Sequence, residues 1–161
     1  MSDKILLTGA PGSGKTTAIR KIAEVLKEVA SGFYTEERRE QGRRVGFDIV
    51  TLTGRRVPLS HLNIPGKRRV GRYGVDLASL DTVAVPAVEE AISSGGIVLI
   101  DEIGKMELFS EKFRASVVKA FNAPCSVVAV IMAKQNPFAD ALKKRDDVEL
   151  IELTLANREN I

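Results

Sequence analysis

Short apolar runs alternate with amphipathic stretches along most of the chain, and the spacing within each predicts its element. "KILLTG" (residues 4–9) reads as a short buried strand, and after it Ile19, Ile22, Ala23, Leu26 and Val29 recur at helical spacing. "GGIVLID" (95–101), "SVVAVIM" (126–132) and "VELIELTL" (148–155) read as three more strands. Helical spacing fills the gaps between them. Asp76 can cap a stretch in which Leu77, Leu80, Ala84, Val88 and Ala91 share a side, with Pro86 predicting a kink or two short helices. Ser110 precedes a helix that turns Phe113, Val117 and Phe121 inward, and Asn136-Pro137 starts a short helix running to about Arg145.

One segment breaks this rhythm. From Ser31 to Ser60 the runs "GFYTEERRE", "RRVGFDIVTL" and "RRVPLS" are β-rich and separated by the turn pairs Gln41-Gly42 and Thr53-Gly54, which predicts an antiparallel β-meander over 31–60. "HLNIPGKRRVGRYG" has glycine, proline and basic residues but no period, so 61–75 is expected to be a basic loop. Apolar strands alternating with helices predict an α/β fold of three layers, a mostly parallel sheet covered on both faces with the meander as an insertion. Ligands of such sheets sit at the carboxyl ends of the strands.

At 161 residues the chain is expected to be a single domain, 1–161. Its 44% hydrophobic and 28% charged residues are those of a globular chain, and no stretch approaches the ~18 apolar residues of a membrane span. The N-terminal apolar run is too short for a signal peptide, so a cytoplasmic location and no membrane partner are expected. Cys125 stands in an apolar run as a small buried hydrophobe, and His61 has no second histidine to share a metal; neither is given a role. The net charge of +3 is unevenly spread: Arg38, Arg39, Arg43, Arg44, Arg55, Arg56, Lys67, Arg68, Arg69 and Arg72 crowd one segment. Solvated hairpin faces that protect a sheet edge account for such a cluster, and so does a surface facing phosphate or nucleic acid.

Gly9 to Thr16, "GAPGSGKT", fit G-x-x-x-x-G-K-[ST] in full, the Walker A or P-loop pattern. The motif leaves a strand and opens a helix, where backbone N–H groups and the helix dipole converge on a phosphate chain. Gly12 and Gly14 let the backbone turn inward into an anion-binding nest. Lys15 is expected against the β- and γ-phosphates and the Thr16 hydroxyl on Mg²⁺. The nucleotide-binding residues on this side are Gly9, Ala10, Pro11, Gly12, Ser13, Gly14, Lys15, Thr16 and Thr17.

"IVLIDEIGKMEL" (97–108) drives an apolar strand into two adjacent carboxylates. A magnesium ion held by one hydroxyl and phosphate oxygens still needs a carboxylate or water in its octahedral shell. Asp101 at the strand end is the candidate Walker B residue, so Thr16 and Asp101 are the expected metal pair. Glu102 is then the candidate that polarises the attacking water, with Lys15 as the second catalytic residue. Lys105 stands just past the strand end as a possible helper or a solvated turn residue. "DEIG" also satisfies the D-x-x-G of small GTPases, but the Asn-Lys-x-Asp guanine segment of that class is replaced by "MAKQNPF".

The stretches "TGAPGSGKTT", "GFYTEERREQGRRVGFDIVTL", "GRYGVDLASL", "DEIGKMELFSEKFR" and "ELTLANRENI" together resemble the small THEP-type nucleoside-triphosphatases, whose animal members are called cancer-related nucleoside-triphosphatase. The resemblance spans almost the whole chain. It implies a RecA-like P-loop NTPase fold and slow Mg²⁺-dependent hydrolysis of ATP, GTP and other nucleoside triphosphates with little base discrimination. It also implies nucleotide contacts at Gly9 through Thr16 and at Asp101, Glu102, Ile103 and Gly104. The chain departs from the family's wording at "IMAKQNPF" and in stopping at Ile161, which bears on the base side near Asn157 and Arg158. Two other readings share these motifs: a nucleoside or nucleotide kinase with the basic loop as lid, and a nucleotide-switched nucleic-acid-binding protein using the arginine-rich meander.

Overall fold

Pairing of the apolar runs builds the central layer of the computed structural model, which describes residues 3–10, 13–154 and 156–157. The strands are β1 (Lys4–Thr8), β2 (Ala30–Glu40), β3 (Arg43–Thr51), β4 (Arg56–His61), β5 (Arg69–Val70), β6 (Tyr73–Val75), β7 (Ile97–Ile103), β8 (Val127–Ile131) and β9 (Val148–Glu152). They form one sheet of order β5-β6-β4-β3-β2-β7-β8-β1-β9. The helices are α1 (Lys15–Leu26), α2 (Leu77–Ser79), α3 (Val85–Ser94), α4 (Glu111–Asn122) and α5 (Pro137–Lys143).

Neighbouring residues of a strand face opposite sides, and here each side has its own core. Leu6 packs with Phe33, Ile100, Val88, Phe113 and Phe121 under α3 and α4. Leu7 packs with Ile19, Ala23, Leu99 and Val130 under α1. Burying an aliphatic or aromatic side chain is worth about 1.5–3 kcal/mol, so the strands that read as continuous apolar runs are those with a helix on each face. Phe33 and Phe113 meet edge to face at 6.0 Å across the larger core.

The sheet is not mostly parallel. Pairs β1-β8, β1-β9, β2-β7 and β7-β8 are parallel, whereas β2-β3, β3-β4, β4-β6 and β5-β6 are antiparallel. The meander is no separate insertion, because β2 belongs to both halves: Ala30–Phe33 pair with β7 while the rest of its 11 residues run on along β3. The 61–75 segment is likewise more than a loop. Gly71, at φ 59°, closes a two-residue hairpin between β5 and β6, and β6 adds to the sheet beside β4.

Two helices also differ from the periodicity. α1 ends at Leu26, leaving Val29 in the following turn at 55% exposure. The 77–94 stretch is helical throughout and passes through a π-helical turn, Leu80–Ala84, in place of a break. Pro86 has no N–H for the carbonyl four residues back, and widening the preceding turn accommodates it while Leu80, Ala84, Val88 and Ala91 stay buried. The caps expected at Asp76 and Asn136 formed, accepting from Ser79 N–H at 3.0 Å and Ala139 N–H at 3.1 Å, and Ser110, expected only to precede its helix, caps it as well by accepting from Phe113 N–H at 3.0 Å.

Candidate functional site

Register places the two motifs together. β8 lies between β1 and β7, and its Val130 is level with Leu7 on one side and Asp101 on the other. Two strand spacings separate Leu7 from Asp101, about 10 Å. Leu99 belongs to the core under α1, and Asp101, two residues on in β7, returns to that same face before the strand's register shifts between Asp101 and Ile103. Lys15 and Arg20 of α1 both lie close enough for their charge to act on Asp101.

The loop side is built from backbone. Gly9 has φ 151°, and a Cβ there would stand 2.6 Å from the Leu153 carbonyl oxygen and 2.7 Å from Ser13 Oγ. That crowding is why glycine starts the loop. Gly14 sits in the left-handed region at φ 99° as the residue before α1, with Ala18 N–H donating back to its carbonyl at 2.9 Å. No side chain caps α1, so its first N–H groups face the loop. Lys15 Nζ donates to the Gly9 carbonyl. Ser13 is buried, and Ala10, Thr16 and Thr17 are exposed. Pro11 and Gly12 lie outside the described residues, as does Arg158.

Asp101 is 2% exposed, and its Oδ2 has no hydrogen-bond partner among the described residues. Burial first, and then the neighbouring Glu102 charge, push its carboxyl up to about 7, against the pull of the Thr35 N–H, Arg20 and Lys15. Burial likewise raises Glu102, with Lys15 opposing. The peptide joining the two acids is cis. Of the residues expected beyond them, Gly104 is buried beneath the Glu102 side chain, whereas Ile103 points into the larger core away from α1. Lys105 is exposed.

Thr16, Arg20, Thr35, Glu36 and Phe47 line a cleft of about 500 Å³ between α1 and the meander. Arg20 was not among the candidates; it lies four residues after Thr16 on the same helix face, pairs with Glu36 at 3.0 Å and stands over the Tyr34 ring at 5.6 Å. Half of the basic segment that drew attention is turned upon itself. Arg38 and Arg56 hold the buried Asp48 at 3.4 and 3.0 Å, and Arg39 and Arg44 hold Glu37 at 3.1 and 3.2 Å. Arg69 donates to the carbonyls of Ile64 and Arg72.

A magnesium ion fits these residues. Among the described residues no three His, Cys, Asp or Glu side chains converge as an all-protein metal cage. Mg²⁺ bound beside phosphates needs only one or two protein oxygens, and an orphaned carboxylate oxygen on the same face as a P-loop threonine offers that donor set.

A family model described as NTPase matches residues 4–161. The chain is 46% identical over 158 residues to nucleoside-triphosphatase THEP1 of Thermotoga sp. (strain RQ2), spanning 98% of this chain and 90% of that relative. It is 44% identical over 177 residues to the cancer-related nucleoside-triphosphatase of Homo sapiens, spanning 100% of this chain and 93% of that one. The crystal structure of THEP1 from the hyperthermophile Aquifex aeolicus matches with a TM-score of 0.90 at 40% identity, covering 97% of this chain and 92% of that chain.

Proposed function

Because the chain belongs to the NTPase family and is a nucleoside-triphosphatase, we propose that it hydrolyses ATP, GTP and other nucleoside triphosphates by a Mg²⁺-dependent attack of water steered by Glu102. The observation that carries this reading is the register of Leu7 and Asp101 on either side of Val130, with both motifs facing α1.

In this reading the loop from Gly9 to Gly14 and the open N-terminus of α1 hold the phosphate chain through backbone N–H groups. Lys15 leaves the Gly9 carbonyl for the β- and γ-phosphate oxygens and neutralises their charge. Thr16 and Asp101 would hold the ion, directly or through water. Bound Mg²⁺ supplies charge neutralisation on the phosphate oxygens. Glu102 accepts a proton from the water that attacks the γ-phosphorus; burial lifts its pKa toward the working pH, which suits a general base. The products are the nucleoside diphosphate and inorganic phosphate.

Two features support slow turnover with little base preference. Arg38, Arg39, Arg44 and Arg56 are engaged with carboxylates, so none of them is held ready as an arginine finger, an effect worth about 10³–10⁵ where it exists. On the base side, Asn157 spends its amide on its own turn: Oδ1 accepts from Thr154 N–H at 2.7 Å and Nδ2 donates to the Glu152 carbonyl at 2.9 Å. With one N–H and one lone pair spent there, the amide's orientation is set by its own turn and not by a base.

The test is phosphate release from several triphosphates, with and without Mg²⁺ and with no acceptor present. Glu102→Gln is expected to lower turnover about 10²–10⁴-fold while nucleotide affinity stays within a few-fold. Undiminished turnover removes Glu102 from its role, and release that requires an added acceptor makes the enzyme a kinase.

A further inference from the structure

The reacting carboxylate is only as good as its placement, and two residues near Glu102 bear on where it lies. The first is Gly104. A Cβ built on it would stand 2.9 Å from Glu102 Cγ and Cδ and 3.1 Å from Oε1, so the Glu102 side chain occupies the space that any other residue at 104 would fill. Glycine is needed there for volume, since Gly104 is not among the glycines with positive φ. The second is Glu107. It begins the 3₁₀ turn Glu107–Phe109 that follows β7, is 3% exposed, and has its carboxyl group within reach of the backbone N–H groups of Glu102 and of Glu107 itself. The turn between them is closed by Leu108 N–H donating to the Gly104 carbonyl at 3.0 Å.

We propose that Gly104 and Glu107 are positioning residues for Glu102: Gly104 leaves the volume in which its carboxylate lies, and Glu107 pins the peptide that joins it to Asp101. The inference rests on Glu102 acting as the water-steering base. A side chain of that length has several rotamers, and a solvated glutamate at a strand end would sample them. Here one is selected from below by a missing Cβ and the backbone is held from behind by a buried acceptor. Displacing a reacting group by about 1 Å costs on the order of 100-fold in rate.

The experiment compares Gly104→Ala, Glu107→Ala, Glu107→Gln and Glu102→Gln in steady-state phosphate release, equilibrium binding of a non-hydrolysable triphosphate with Mg²⁺, and thermal unfolding. Gly104→Ala is expected to lower kcat at least tenfold with triphosphate affinity within threefold and the melting temperature little changed, because alanine meets only a flexible side chain. Glu107→Ala is expected to lower kcat comparably, and Glu107→Gln, which keeps an oxygen acceptor in the same place, to recover at least fivefold of that loss. Should Glu107→Ala fail to fold, the Gly104→Ala and Glu107→Gln results decide. Gly104→Ala turning over within twofold of wild type, or Glu107→Gln losing more than tenfold while still folded, overturns the proposal. Glu102→Gln separates the two layers: if it retains turnover the base assignment itself is wrong, whereas a dead Glu102→Gln beside an active Gly104→Ala refutes the positioning pair alone.

Discussion

Asp101→Asn is expected to stabilise the nucleotide-free protein while destroying its activity. The Asp101 carboxylate is 2% exposed with one oxygen unpartnered, and its carboxyl is raised from an ordinary value of 3.8 to about 7. A group that binds its proton more tightly folded than unfolded loses stability as pH rises between those two values. The window is therefore about pH 4 to 7, with stability falling toward the alkaline end. At about 1.4 kcal/mol per tenfold, the rise corresponds to roughly 4 kcal/mol of strain from keeping the ionised group in place. Asparagine removes the charge but sets an NH₂ where the orphaned oxygen was, and an unpartnered buried donor costs about 1–3 kcal/mol. The net gain at pH 8 should then be about 1–3 kcal/mol, a rise in melting temperature of about 3–10 °C for a chain of this size. Glu102 and Glu107 are raised as well, so the variant's pH profile is flatter than wild type but not flat. The assay is thermal and urea unfolding from pH 5 to 8.5 without nucleotide or divalent ion, beside phosphate release with Mg²⁺. Wild-type stability that is constant or rises from pH 5 to 8, or an Asn variant less stable than wild type at pH 8, refutes this reasoning.

Two further predictions concern the frame that holds the site. Asp48 has a side chain 5% exposed between Arg38 and Arg56, which are about half exposed, so Asp48→Ala should lower stability by about 1–2 kcal/mol in urea unfolding; a loss under 0.3 kcal/mol would mean the pairs are only decorative. Gly32 has φ 128°, and a Cβ would meet the Leu99 carbonyl oxygen at 1.9 Å, so Gly32→Ala should cost more than about 3 kcal/mol or prevent soluble expression; a variant within 1 kcal/mol of wild type contradicts the close approach of β2 to β7.

Strands and helices with a complete periodic signal were legible from residues alone. Leu6 and Leu7, Val98 and Leu99, and the caps Asp76 and Asn136 are where their patterns put them. The antiparallel pairing of β2, β3 and β4 was legible from the turn pairs Gln41-Gly42 and Thr53-Gly54, whereas the balance of the whole sheet was not, since alternation along β2 is the same whether its neighbour is parallel β7 or antiparallel β3. The β5-β6 hairpin is too short to carry a period, and its signal was a single glycine turn at Gly71. At the site, Asp101 and Glu102 stood out because two adjacent acids end an apolar run. Arg20 and Glu107 did not, because a helix arginine and a turn glutamate look solvated until the fold puts one beside Tyr34 and buries the other. Ile103 shows the converse: membership in a motif placed it among nucleotide contacts, whereas a register irregularity in β7 between Asp101 and Ile103 turns its side chain into the larger core.

The central claim is that Thr16 and Asp101 hold one cation while Glu102 is left to steer water. A crystal structure with Mg²⁺ and a non-hydrolysable ATP analogue tests it most directly. The account predicts one ion bridging the phosphates, the Thr16 hydroxyl on it at about 2.1 Å, Asp101 on it directly or through a single water, and a Glu102 oxygen within about 3.2 Å of a water in line with the γ-phosphorus. An ion bound with Asp101 facing away from it, or a water held by another residue with Glu102 turned from the γ-phosphate, would contradict it.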